Sequence, residues 1–185
     1  MIKLPGNQRG LALVLVLAVV LILSILIAAL IISANSANRI QINIWNRQQA
    51  RFLAEAGVQR VIFESRRIMA RSDINPAGDL VSSRDALQNA LKNIPHDRGL
   101  DNAVPLNVNN RNIGTYKINN LNVFVDTDKV TRDIVPITIT FESIGNYGSS
   151  GMIATVTLKA KLEFQVNRYI LPNDTPMLTK FDIQN

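Results

Sequence analysis

The chain has 185 residues, 47 % of them hydrophobic, with no cysteine, one histidine and a formal net charge of +6. Without thiols there is no disulfide staple and no thiolate metal centre, and one imidazole leaves little for metal or nucleophilic chemistry. Seven Arg between 39 and 71 face only Glu55 and Glu64, whereas 72–185 carries eleven basic and twelve acidic residues. The basicity therefore belongs to an N-terminal helix and not to a globular domain, and no nucleic-acid partner is expected.

In chain order, a short leader (1–10) ends in Asn7-Gln8-Arg9-Gly10, and an apolar run follows at once. From Leu11 to Ile32 only Ser24 is polar, and no charge occurs between Arg9 and Arg39. A secretory signal has an apolar core of roughly 7–15 residues closed by a small-residue cleavage site. This run is longer and no such site closes it. As a helix, 11–32 spans about 33 Å at 1.5 Å per residue, enough to cross a hydrocarbon core of roughly 30 Å. The segment is read as a retained membrane helix, with the processing point before it, between Gly10 and Leu11.

The helical pattern continues over 33–71, because no Pro lies between Pro5 and Pro76 and the only Gly in that stretch is Gly57. Arg39, Trp45 and Arg47 suit a membrane interface. Ala50, Leu53/Ala54, Gly57/Val58, Val61/Ile62 and Ile68/Met69 recur at three- and four-residue steps, one apolar stripe on an amphipathic spine. A helix from 11 to 70 would be about 90 Å long. Gly57 either admits a close neighbour or is a tolerated helix glycine costing about 1 kcal/mol. Glu55 is placed to pair with Arg51 or Gln59.

The globular part, 72–185, begins with a connecting region. Ser83 is read as the cap of a short helix, Arg84 to Asn93, and 95–112 as loop, being rich in Asn, Pro and Asp. Residues 116–118 and 121–125 read as two short strands. Ile137, Ile139 and Phe141 alternate with Thr138, Thr140 and Glu142, and Val156 to Phe164 alternates in the same way, with the loop at 145–151 between them. One dry sheet face needs a cover, which the spine supplies. The last 20 residues read as a tail.

No phosphate-binding glycine loop, nucleophile elbow or His–carboxylate pair occurs, so no catalytic residues are assigned and no enzyme is expected. Asp126, Asp128 and Asp133 form the one carboxylate cluster. Alternate Asp residues can hold calcium, but no turn Gly and no closing Glu accompany them, and a solvated turn is the default reading. No cofactor is assigned.

The leader ending in Gly10 and the stretch Arg51-Phe52-Leu53-Ala54-Glu55-Ala56-Gly57-Val58 resemble type IV pilin-like proteins, in particular the GspK-like and PilX-like minor subunits. The resemblance covers about the first 70 residues. It implies an α+β type IV pilin-like fold, a long N-terminal helix packed on a small antiparallel sheet. It also implies cleavage after Gly10 by a prepilin peptidase and methylation of Leu11. Most pilins carry a Glu at the fifth mature position, and here that position is Leu15. Its loss marks the K-type subunit at the filament tip, although K-type proteins are usually much longer. The implied function is a minor pseudopilin or minor pilin of a type II secretion system or type IV pilus that primes assembly. Its partners would be other minor and major pilins or pseudopilins, the inner-membrane assembly platform, the prepilin peptidase and membrane lipid. The lysine and arginine counts on the two sides of the anchor do not orient it; the resemblance does, with a cytoplasmic N-terminus, a single inner-membrane pass and a periplasmic domain. The alternative is a signal-anchored extracytoplasmic binding or adhesion domain outside any filament.

Overall fold

The computed structural model of the protein describes residues 8–70, 80–93, 102–108, 111–148, 153–167 and 176–184. The chain divides into two units, Met1–Ile44 and Trp45–Asn185. In the first, every described residue belongs to helix α1 (Gln8–Met69). Leu, Ile, Ala and Val make up most of that stretch; Leu and Ala favour a helix, and no Pro interrupts it. Ser24 donates its hydroxyl to the Val20 carbonyl one turn back (2.8 Å), which satisfies the one polar side chain of the apolar run within the helix itself. Leader residues 1–7 and His96 lie outside the described residues.

The second unit holds the rest of α1, helix α2 (Leu80–Lys92) and five strands. These are β1 (Val104–Val108), β2 (Arg111–Val125), β3 (Ile134–Tyr147), β4 (Ala154–Asn167) and β5 (Met177–Gln184). Each pairs antiparallel with the next, giving one sheet in the order β1-β2-β3-β4-β5. The unit is α+β, a long helix on an antiparallel sheet.

Period-two alternation decides which face is dry. In β3 burial alternates along the strand: Val135, Ile137, Ile139, Phe141, Ser143 and Gly145 turn inward. Directly opposite them in β4 stand Val166, Phe164, Leu162, Ala160, Leu158 and Val156, of which all but half-buried Val156 are buried. Val58, Val61, Ile62, Ile68 and Met69 of α1 and Leu87 and Leu91 of α2 complete one core with this face. Fully burying such a side chain contributes roughly 1.5–3 kcal/mol, so this seam of helix and sheet is what holds the unit together.

Five expectations are corrected. The short helix begins at Leu80, so Ser83 falls inside α2 and is not its cap. The segment read as loop contains β1, which pairs with β2. The two short strands are one, β2, whose register shifts between Asn119 and Asn122 with Asn120 at φ 54. That bulge lets Tyr116 and Ile118 before it and Leu121 and Val123 after it all face inward, although their spacing breaks a strict alternation. The tail contains β5, which also carries a register shift: Lys180 pairs with Glu163 and Leu178 with Phe164, leaving Thr179 as the extra residue. The β3–β4 loop is shorter than expected, since Gly145, Asn146 and Tyr147 pair with Val156, Thr155 and Ala154.

Candidate functional site

From Leu13 to Ile32 the side chains of α1 lie open to the surroundings, and none of the apolar stretch is buried within the protein. By length and composition this helix, near the N-terminus, is able to span a membrane. Gly10 and Leu11 lie near the start of α1, and Leu15 is exposed among its apolar neighbours. Arg39, Trp45 and Arg47 are all exposed.

Where α1 meets the sheet the contact is made of small residues. A Cβ added at Gly57 would strike the Ser143 hydroxyl and stand 3.0 Å from Tyr116 Cδ2 and 3.1 Å from Ile118 Cδ1. Of the two readings of Gly57, close approach is the observed one. At Gly145 an added Cβ would strike the Ala50 carbonyl oxygen and come within 2.5 Å of the Ala54 nitrogen, so β3 lies almost directly on the helix backbone. The buried Ser143 hydroxyl donates to the Ala54 carbonyl at 2.6 Å, the polar rivet of this seam. Leu53 and Ala54 are buried here, and Glu55 pairs with Arg51 at 3.1 Å on the outer side. The Arg51–Val58 stretch thus serves helix-on-sheet packing.

One turn farther on, Glu64 is 2 % exposed and holds two cations, Arg60 at 3.1 Å and Arg67 at 2.6 Å. A buried carboxylate is tolerated only when paired in this way. Both guanidiniums, about a third exposed, fold back to the buried Glu64 carboxylate.

Opposite the sheet, α1 carries a ridge that the sequence reading did not separate out. Trp45, Phe52 and Phe63 are 54 %, 60 % and 58 % exposed. Their steps of seven and eleven residues are close to two and three whole helical turns, so all three share one side. The buried stripe through Ala54, Val58, Val61 and Ser65 lies on the other. The signal was present in the spacing, but the sequence reading followed only the stripe through Ala50, Leu53/Ala54, Gly57/Val58, Val61/Ile62 and Ile68/Met69.

The carboxylate cluster is not brought together. Asp126 immediately precedes a 3-10 turn, Thr127–Lys129, and its carboxylate pairs with Lys129 Nζ at 2.8 Å. That hydrogen bond holds the Asp126 carboxyl below its ordinary range and the Lys129 ammonium above its own. Asp128 and Asp133 are exposed, and among the described residues no three His, Cys, Asp or Glu side chains gather as a metal site. The face of the sheet away from α1 holds one further feature, a shallow trough of about 360 Å³ reaching from β2 to β5.

No known protein family matches this chain. Neither a curated protein nor a solved structure is found similar to it.

Proposed function

We propose that the chain is a minor subunit of the type IV pilin class, a minor pseudopilin or minor pilin of a secretion or pilus filament. The observation that carries this reading is α1 itself: one helix that is apolar on every side from Leu13 to Ile32, Ser24 apart, and then forms the spine of an α+β domain. Such a helix is stable only in lipid or among other apolar helices, since each exposed CH₂ costs about 0.8 kcal/mol in water. Moving from membrane to filament keeps that surface covered throughout. The ridge Trp45–Phe52–Phe63 supports the same reading, because it leaves the spine an apolar side turned away from its own sheet. An independent anchored binding domain needs neither a helix uninterrupted from anchor to core nor that ridge.

Leu15 stands where the class usually has the Glu that pairs with a neighbouring subunit's N-terminal amine, which favours a tip or priming position. Inner-membrane anchoring with the domain in the periplasm follows from the same resemblance. The subunit acts by contact and does no covalent chemistry. The test is a photo-crosslinking residue at Phe63 in cells that also express other prepilin-like subunits. Cross-links from Phe63 to another subunit's α1, with none from Gln165 on β4, are expected. Equal yields at both positions, or none at either, would contradict the filament reading.

A further inference from the structure

We infer that the outer face of the sheet is a binding site for a neutral oligosaccharide, independent of the filament reading. Its origin is the β2 bulge. Asn120, the one non-glycine residue at positive φ among those described, sits at φ 54 and donates its amide to Glu142 Oε2 at 3.0 Å. Asn122 in turn donates to the Asn120 carbonyl at 3.1 Å. An unfavourable backbone conformation maintained by such bonds fixes two amides and a carboxylate at one end of the trough.

The lining then selects the ligand class. The lining carries two carboxylates, Glu142 and Asp182, and two ammonium groups, Lys159 with its Nζ 3.9 Å from Glu142 and Lys161 with its Nζ 2.8 Å from Glu163 beside the trough. With no net charge the trough favours neither a phosphate chain nor a cation. It crosses β2 to β5, about 14 Å at a strand spacing of about 4.8 Å. The trough lies on the face of the sheet, where the strands present side chains; the open backbone ladder of edge strand β5 lies beside it and not in it, so an extended peptide in the trough gains no ladder hydrogen bonds. What it does offer is hydrogen-bonding capacity: Thr140, Asp182 and Gln184 have no side-chain partner among the described residues. Phe124 adds an open ring, 53 % exposed, on the same face two residues from Asn122. Fixed amides and carboxylates beside an aromatic face are the groups that bind vicinal hydroxyls and the apolar side of a pyranose ring.

The full chain in a sugar-free zwitterionic detergent is titrated with maltotriose and with the trimer of N-acetylglucosamine, read by saturation-transfer NMR. Galacturonic acid trimer and inorganic phosphate serve as anionic controls. A neutral trimer is expected to bind, and Glu142→Ala and Asp182→Ala each weaken it by about tenfold, the loss of one charge-assisted hydrogen bond. Asp182 is exposed on the edge strand and pairs with nothing described, so Asp182→Ala keeps the thermal midpoint of the parent and separates loss of binding from loss of fold. No binding of either neutral trimer, binding unchanged in both variants, or binding of the anionic probes alone would overturn the inference.

Discussion

At the scale of single residues, the Ser143 hydroxyl decides how close helix and sheet come. It lies over Gly57 and donates to the Ala54 carbonyl. In an isolated helix Gly→Ala gains about 1 kcal/mol. Here Gly57→Ala should instead destabilise the protein by about 1–3 kcal/mol, because the new methyl has no space in a packed interior. Ser143→Ala alone should cost about 1 kcal/mol, the value of a typical hydrogen bond. In the double variant the second cost shrinks, since the atom that obstructs the Gly57 methyl is gone. Denaturant unfolding of the three proteins measures this coupling, and strict additivity would contradict the contact. Asp126 offers a second residue-scale prediction. Its carboxyl is held below its unfolded value by Lys129, so the pair's contribution is present above the ordinary Asp range near pH 3.8 and lost as pH falls through the lower folded value. Lys129 is raised above 10.5, so its share holds below that value and is lost as pH rises through the folded one. Carbon-detected NMR titration should show Asp126 midpoints below 3.8, returning towards that value in Lys129→Ala.

At the scale of elements, legibility followed the regularity of the pattern. The β3–β4 hairpin was readable because its period of two is unbroken through Ile137, Ile139 and Phe141 and again through Leu158, Leu162 and Phe164. β2 and β5 were not, and for the same reason. An extra residue at the Asn119–Asn122 shift and another at Thr179 move the inward positions from even to odd numbers or the reverse, which destroys the period while preserving the face. Thr179 then uses its hydroxyl on the Glu163 carbonyl at 3.0 Å, a tertiary contact with no sequence signal. β1 was hidden by Pro105, which an edge strand tolerates and a central one does not. The spine's buried stripe was legible from its three- and four-residue steps, whereas the opposing ridge requires knowing that the sheet leaves that side open. The two sides of α1 should separate in experiment. Val61→Ala or Leu53→Ala removes buried methyls and should cost roughly 1–4 kcal/mol. Phe52→Ala and Phe63→Ala should change stability by no more than about 0.5 kcal/mol, as exposed substitutions do, while Phe52→Ala should also weaken the cross-link from a photo-reactive residue at position 63. A large stability loss from the exposed pair would place the ridge inside the protein's own core.

At the scale of the whole molecule, the chain combines a surface that water cannot tolerate with a domain that needs nothing from that surface to pack. In the first unit Leu13–Ile32 are exposed and, Ser24 apart, apolar, and the second unit has its own core of helix and sheet. On the proposed reading, processing after Gly10 ahead of the apolar helix is what separates a filament subunit from a permanently anchored domain. Gly10→Leu should therefore give an uncleaved, membrane-held precursor that fails to assemble, with the folded domain unchanged by circular dichroism. The most direct measurement is the intact mass and N-terminal sequence of the membrane-extracted protein, made with and without a co-expressed prepilin peptidase. The account predicts a peptidase-dependent chain that begins at Leu11 and carries an added methyl group. A chain that still begins at Met1 in the presence of the peptidase, or one cut after the apolar run, would contradict it.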